Sequence, residues 1–311
     1  MRGGSVNDFR LLMLGAMYEN GGNTTHRLLD GHPQMFVYPY ESQIGTRLVN
    51  DALSSVFPVK YRWPVFALDA TPREDYLAII DEEAKVRSRT PHVSKFRHLP
   101  FDMNDDERCA RYVTIVERLG RSRSSNVAAF FTATFDAWKG YRRTGREVFH
   151  VGYSPILAID ADKILREMPN AHFLHVVRNP WSAYADTKKR PMPLSMAHYF
   201  LGWTLNQYYA LLFQQQFPDR FHVVRLEDVL ANPKAALGAV CLKLGLESAD
   251  SLVSPSWNGA PLEEVYPWGT IRTATPDANR DTARELSTAE RDEVRARAWV
   301  YLESFDYKGF V

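Results

Sequence analysis

Short apolar runs rich in β-branched and aromatic residues alternate with helical patterns along this chain. The clearest runs lie at residues 11–14, 148–151, 173–177 and 221–224, and each is predicted to form a buried strand. Helical patterns lie between these runs rather than in a separate block. This alternation predicts an α/β fold with a mainly parallel sheet flanked by helices, in a single domain over residues 1–311.

Capping patterns predict where several helices begin. Thr71-Pro72-Arg73-Glu74 combines a capping-box spacing with proline at the first helical position. Asn104 precedes two aspartates and a helical stretch that ends near Gly120, and Ser287 with Glu290 repeats the capping box. Three helix starts are therefore predicted to within a residue or two.

Two glycines join the first predicted strand to the helix that follows it. Gly21 and Gly22 precede a helix predicted over residues 24–30. Glycine lets the backbone approach an anion closely, and the unbonded N–H groups at a helix start hold that anion. Thr24 and Thr25 add hydroxyl donors, so this turn is predicted to bind the phosphates of a nucleotide.

The turn does not fit the ATPase loop, G-x-x-x-x-G-K-[ST], because Asn20 stands at the second glycine and no lysine follows it in the turn. It resembles instead the 5′-phosphosulfate loop of sulfotransferases, R-S-G-T-T-L-L-x-R-L-L-D-x-H-P. Asn20-Gly21-Gly22-Asn23 falls on S-G-T-T, and residues 27–33 match R-L-L-D-x-H-P. Glu19 stands where the family places an arginine or lysine aimed at the sulfonate.

Two later segments extend this resemblance in the family's order. Arg178-Asn179-Pro180 is similar to the family's R-[DN]-P strand end, whose arginine and a serine eight residues on bind the donor's 3′-phosphate. Asp186 takes the place of that serine, so Thr187 and Lys188 are candidates to substitute for it. Residues 223–233 resemble the family's R-Y-E-D-L-x-x-x-P phrase.

The resemblance implies a P-loop-like sulfotransferase fold and a donor, 3′-phosphoadenosine 5′-phosphosulfate (PAPS), which leaves as 3′,5′-adenosine bisphosphate. The acceptor would be a hydroxyl of a glycan or small metabolite. A long loop is predicted at about residues 250–286 from its Pro, Gly and Thr content, and loops of this length are usually functional. The implied donor-binding residues are Gly21, Gly22, Asn23, Thr24, Thr25, Arg178, Thr187, Lys188 and, as a clamp in the long loop, Arg272.

Glu41 is the first candidate for the general base that takes the acceptor's proton. It ends Tyr38-Pro39-Tyr40-Glu41, which resembles the P-x-E phrase after the family's second strand. A carboxylate suits an aliphatic hydroxyl only where burial raises its pKa. His150 is the second candidate, since the following Gly152-Tyr153-Ser154-Pro155 occupies the place of the family's E-K-T-P phrase. Glu41 would also fit as an acidic residue at a helix start, and most histidines in strands are structural.

Two other functions stay open at this point. One is a P-loop-like kinase that phosphorylates a small molecule with ATP and magnesium, although the chain lacks that loop's lysine. The other is a catalytically inactive nucleotide-binding protein of the same fold. Glu19 and Asp186, which reverse the charge at two anion-binding positions, favour this second alternative.

Composition narrows the class of partner. The 311 residues carry a formal net charge of +1, which gives no excess positive charge for binding nucleic acid. Cys109 and Cys241 are too few for a disulfide framework, no His/Cys cluster has metal-ligand spacing, and no apolar run approaches the roughly 18 residues of a membrane span. The N-terminal residues lack a signal-peptide core, so the sequence predicts a cytoplasmic protein. No pattern predicts an oligomeric state.

Overall fold

A computed structural model of the chain describes residues 8–90, 92, 96–262 and 275–311. The strands are β1 (Leu11–Ala16), β2 (Met35–Val37), β3 (Phe149–Tyr153), β4 (Ala171–Val177), β5 (Phe221–Arg225), β6 (Ser256–Trp257) and β7 (Ala260–Pro261). The helices are α1 (Gly22–Leu29), α2 (Pro72–Ala78), α3 (Glu82–Arg89), α4 (Asp105–Leu119), α5 (Arg123–Ala137), α6 (Ala161–Glu167), α7 (Pro180–Lys188), α8 (Met196–Gln216), α9 (Leu226–Ala231), α10 (Pro233–Lys243), α11 (Pro276–Arg284) and α12 (Thr288–Ser304). Short 3-10 helices lie at Val59–Tyr61, Leu157–Asp160 and Asp250–Val253.

Five strands form the main sheet, in the order β2-β3-β1-β4-β5. β2 runs parallel to β3 with Met35 opposite Phe149, and β4 runs parallel to β5 with Phe173 opposite Phe221. β6 and β7 pair separately as a two-stranded antiparallel ladder. The predicted α/β fold with a mainly parallel sheet is confirmed.

The predicted helix starts are confirmed by their caps. The Thr71 hydroxyl accepts a hydrogen bond from the Glu74 backbone N–H at 3.3 Å, and the Glu74 carboxylate accepts one from the Thr71 backbone N–H at 2.7 Å. The Asn104 side chain caps α4, and the Ser287 capping box starts α12. Each cap satisfies N–H groups that have no partner inside the helix.

The late segment differs from the long loop that its composition predicts. It contains the β6–β7 ladder and helix α11 within residues 250–286. Thr275 caps α11 by accepting from the Ala278 N–H at 3.3 Å, and Pro276 begins the helix. This Thr-Pro start is the same signal that predicts α2. Arg272, the predicted clamp, lies outside the described residues.

The chain divides into two compact units, and the prediction of a single domain stays a prediction. The first unit comprises Met1–Met13 and Pro33–His172, and in it α4 packs against α5 and α2. The second comprises Leu14–His32 and Phe173–Val311, and in it α7 packs against α11 and α12, and α8 packs against α12. Within the described ranges, no helix combines the length and apolarity needed to cross a bilayer.

Candidate functional site

In the second unit, the turn between β1 and α1 is a tight left-handed bend. Gly21 has φ of 83° and Glu19 has φ of 59°, both in the region that disfavours residues with a Cβ. A Cβ on Gly21 would lie 2.4 Å from Cδ1 of Leu226, the first residue of α9. Glycine is therefore required at position 21 by its backbone angle and by its packing.

The side chain of Asn20 holds this turn in place. It is fully buried and donates to the backbone carbonyl of Tyr18 at 2.8 Å and to the hydroxyl of Tyr199 at 3.0 Å. Its carbonyl oxygen accepts from the backbone N–H of Arg178 at 3.1 Å and from the indole of Trp203 at 3.3 Å. The turn is thus fixed to the start of α7 and to α8, a role of Asn20 that no local motif predicts.

The start of α1 carries hydrogen-bond donors that the helix itself does not use. The N–H groups of its first turn, at Gly22, Asn23 and Thr24, have no intrahelical partner, and no described side chain caps them. The Thr25 hydroxyl is buried and has no hydrogen-bond partner among the described residues. Buried hydroxyls normally find a partner, and a helix start favours negative charge. The turn therefore fits the phosphosulfate end of the implied donor.

Arg178, at the end of β4, is buried and bonded on several sides. Its Nη1 lies 2.7 Å from the Asp186 carboxylate and donates to the Glu19 carbonyl at 2.9 Å. Its Nε donates to the side chain of Asn279 at 2.7 Å. Arg178 and Asp186 are each 1% exposed. The guanidinium charge is therefore already balanced inside the protein.

The residues predicted to replace the missing serine also have partners within the protein. The Thr187 hydroxyl donates to the Ala183 carbonyl at 2.9 Å, and Lys188 pairs with Glu290 at the surface. These contacts do not fit the 3′-phosphate of the implied donor, because every described candidate for that site is engaged elsewhere.

Glu19 faces a cation rather than an anion. Its carboxylate lies 3.9 Å from the guanidinium of Arg190, which itself stacks over the ring of Tyr18. An acidic residue can therefore stand at this point of the turn without an unbalanced charge.

A largely buried polar cluster, made by Asn179, Glu227, Asn279 and Tyr307, adjoins Arg178. One oxygen of Glu227 accepts from the side chains of Asn179 and Asn279, at 2.8 and 2.9 Å. The other accepts from the Tyr307 hydroxyl at 2.6 Å. Burial and the nearby Glu227 carboxylate raise the pKa of Tyr307 well above its usual value. These contacts give Glu227 an architectural role. No local motif marks Asn279 or Tyr307, so the sequence did not predict their part in the cluster.

In the first unit, Glu41 follows β2 at the carboxyl end of a parallel strand. The backbone on either side is fixed to β3, through Tyr38 N–H to the Val151 carbonyl at 2.9 Å and Ser42 N–H to the Tyr153 carbonyl at 2.7 Å. Its side chain is partly exposed, so the burial expected of a carboxylate base is only partial, and it makes no hydrogen bond or ion pair with any described residue. Ligands bind at the carboxyl ends of parallel strands, so a carboxylate without a protein partner there is placed to contact one.

His150 lies at the opposite end of its strand, second in β3. Its ring stacks on Phe9 and Phe36, with centroids 4.6 and 4.7 Å away, and its Nδ1 is buried without a partner in the described chain. Burial, aided by the charge of Arg143, lowers its pKa to about 3. Such a weak base inside an aromatic cluster is disfavoured for proton abstraction.

Two further cations of the first unit, Lys60 and Arg62, are paired with carboxylates. Lys60 contacts Glu82 at 2.9 Å, and Arg62 is buried against Asp51 and Asp160. His26 is held neutral, because burial lowers its pKa well below the usual value. Among the described residues, no group of three or more His, Cys, Asp or Glu side chains is placed to hold a metal ion.

Comparison with known proteins places these features in a family. Residues 20–250 match the profile described as Sulfotransferase family. The sulfotransferase domain of the Synechococcus PCC 7002 olefin synthase aligns with a TM-score of 0.51 and 15% identity, over 97% of this chain and 96% of that one. The sulfotransferase domain from the curacin biosynthetic pathway gives 0.47 and 14%, over 94% and 98%. Comparison with curated proteins found no match.

Proposed function

The chain belongs to the sulfotransferase family, and we propose that it moves a sulfonate from PAPS to a hydroxyl of a glycan or small metabolite. The observation that carries the donor assignment is the start of α1, where uncapped N–H groups meet a buried Thr25 hydroxyl that has no partner in the described part of the chain. These donors suit an anion supplied by a ligand.

When bound, the donor supplies a sulfonate attached to a phosphate leaving group. The N–H groups of the first turn of α1 and the Thr25 hydroxyl would hold the negative charge of that phosphate. Glu41 would accept the proton of the acceptor hydroxyl, since its carboxylate has no partner among the described residues. Catalysis then depends on positioning and on fixed donors, as in phosphoryl transfer.

The assignment of Thr25 is tested with Thr25→Val, which keeps the shape and removes the hydroxyl. We expect the affinity for 3′,5′-adenosine bisphosphate, measured by calorimetry, to fall about tenfold, which corresponds to about 1.4 kcal/mol of binding free energy. The melting temperature without ligand should not fall, because the hydroxyl has no partner to lose within the described ranges.

Thr187→Val is the matched control. Its hydroxyl is bonded to the Ala183 carbonyl, so this variant should lose about 0.5–1.5 kcal/mol of stability and keep its nucleotide affinity. The opposite pattern, with Thr25→Val unstable and its affinity intact, would show that the Thr25 hydroxyl is structural.

The two alternatives are separated by thermal shift. A ligand at 100 times its dissociation constant adds about 2.7 kcal/mol of stability. Stabilisation by 3′,5′-adenosine bisphosphate together with sulfonate transfer from PAPS supports the proposal. Stabilisation by ADP with magnesium alone supports a kinase, and nucleotide binding without any transfer supports an inactive protein.

A further inference from the structure

The Arg178–Asp186 pair is closed and neutral at the point where β4 leads into α7. The two charged groups are 2.7 Å apart and each is 1% exposed. Asp186 also accepts from Lys189 at 3.1 Å, and Lys189 in turn contacts Glu285 at 2.8 Å. Positive charge near Arg178 is thus matched by carboxylates.

A phosphate group needs the opposite environment. It binds where cationic or N–H donors are not already neutralised, and a nearby carboxylate repels it. A carboxylate accepts a hydrogen bond from a sugar hydroxyl, and dinucleotide sites use this contrast: an acidic residue accompanies a ribose hydroxyl, and an arginine accompanies a ribose phosphate. At the end of β4, Arg178 is already paired with the carboxylate of Asp186.

Resting on the proposed use of a nucleotide donor and on the place of Arg178 in the R-[DN]-P resemblance, we propose that its pairing with Asp186 removes the preference for a phosphate at the ribose 3′ position. The balanced Arg178–Asp186 pair lets nucleotides with a free 3′-hydroxyl bind as tightly as those with a 3′-phosphate. Adenosine 5′-phosphosulfate then serves as a donor alongside PAPS. In both cases the acceptor oxygen bonds to sulfur as the bond from sulfur to the phosphate oxygen breaks. The 5′-phosphate leaves with the electron pair, and Glu41 takes the acceptor's proton.

The wild-type protein gives the first test. Dissociation constants for AMP and for 3′,5′-adenosine bisphosphate, measured by calorimetry at one fixed ionic strength, should agree within about threefold. A preference of about 100-fold or more for the bisphosphate would overturn the inference while leaving the proposed sulfotransferase function intact. If neither nucleotide binds, both the proposed function and this inference are rejected.

Asp186→Asn gives the second test, because it keeps the shape of the side chain and removes its charge. We expect affinity for the bisphosphate to rise about tenfold and affinity for AMP to stay within about twofold. Glu285→Gln is the matched control: it removes the other carboxylate that contacts Lys189 but makes no contact with Arg178. This control should leave the ratio of the two affinities unchanged.

Equal changes in Asp186→Asn and Glu285→Gln would show that overall charge, rather than the Arg178 pair, governs binding, and would refute the inference. If Asp186→Asn fails to fold, as judged by circular dichroism, the wild-type affinity ratio alone decides.

Discussion

At the scale of single residues, the buried charges decide which substitutions the fold tolerates. Arg178 and Asp186 are removed from solvent, and their mutual attraction with the added bonds to Asn279 and the Glu19 carbonyl offsets the cost of burying them. The pair also ties the β1–α1 turn to α7. Arg178 therefore acts on the turn through its bonds, whether or not it contacts a ligand.

Arg178→Ala is accordingly a stability variant. Removing one partner of a buried ion pair lowers the free energy of unfolding by about 3–5 kcal/mol. We expect the lower end of that range here, because Lys189 still contacts Asp186. Lys188→Ala removes an ion pair at the surface and should cost at most about 1 kcal/mol. Chemical denaturation of both variants measures the difference, and equal costs would argue against the buried pair as a structural element.

Glu41→Gln tests the proposed base, since it keeps size and hydrogen bonding while removing basicity. Turnover should fall by roughly 10²–10⁴, with nucleotide affinity within about twofold of wild type. His150→Phe is the comparison, because a third ring would fill the aromatic cluster of Phe9 and Phe36. Turnover should survive this change. The reverse result, with Glu41→Gln active and His150→Phe inactive, would transfer the role of base to His150.

At the scale of elements, the fit between turn and helix limits what the β1–α1 segment accepts. Gly21→Ala must place a Cβ 2.4 Å from a Leu226 side-chain carbon at φ of 83°. Gly245→Ala, just beyond α10, meets a φ of 74° with nothing within 4 Å, so it reports the cost of a positive φ without a clash, about 1 kcal/mol. Gly21→Ala should cost more than this control and should weaken nucleotide binding.

The double variant Gly21→Ala/Leu226→Ala removes the carbon atoms that clash. The double variant should lose less stability than the two single variants lose together. A double-mutant cycle of unfolding free energies measures that coupling. Strict additivity would show that packing against Leu226 does not restrict position 21.

Elements were predictable where local chemistry determines them. The caps at Thr71, Asn104 and Ser287 lie inside the sequences they start, so the helix starts were predicted to within about a residue. The Thr275-Pro276 start carries the same signal, yet the Pro and Thr content around it favoured a loop. The average composition of residues 250–286 predicted a loop, although the local Thr275-Pro276 signal marks the start of a helix.

The candidate site was less predictable because its contacts join distant segments. The glycine turn was predictable from local sequence. The ion pair between Asp186 and Arg178 was not, because the sequence alone indicated only that Asp186 would repel a phosphate. Asn279 contacts Arg178 from 101 positions away. Partners at such separations depend on how the helices pack, and a single sequence does not contain that information.

At the scale of the whole molecule, buried neutral histidines make the fold sensitive to acid. Burial lowers the pKa of His150 to about 3 and of His175 to about 4, and it lowers that of His26 well below the usual value. In the unfolded chain each titrates near 6.5. Between pH 6.5 and about 4 the unfolded state therefore binds more protons than the folded state, and stability falls as the pH is lowered.

Below pH 6.5, each such histidine lowers the free energy of unfolding by up to about 1.4 kcal/mol for each pH unit. The melting temperature should therefore be clearly lower at pH 5.5 than at pH 7.5. His150→Phe should reduce this dependence by the share of one histidine, because no proton is then taken up at that position on unfolding. His198→Gln, which replaces an exposed histidine, is measured alongside as the control. Scanning calorimetry at the two pH values decides the matter. If wild-type stability is the same at both, these histidines are accessible to protons in the folded protein, and the neutral cluster around His150 does not exist in solution.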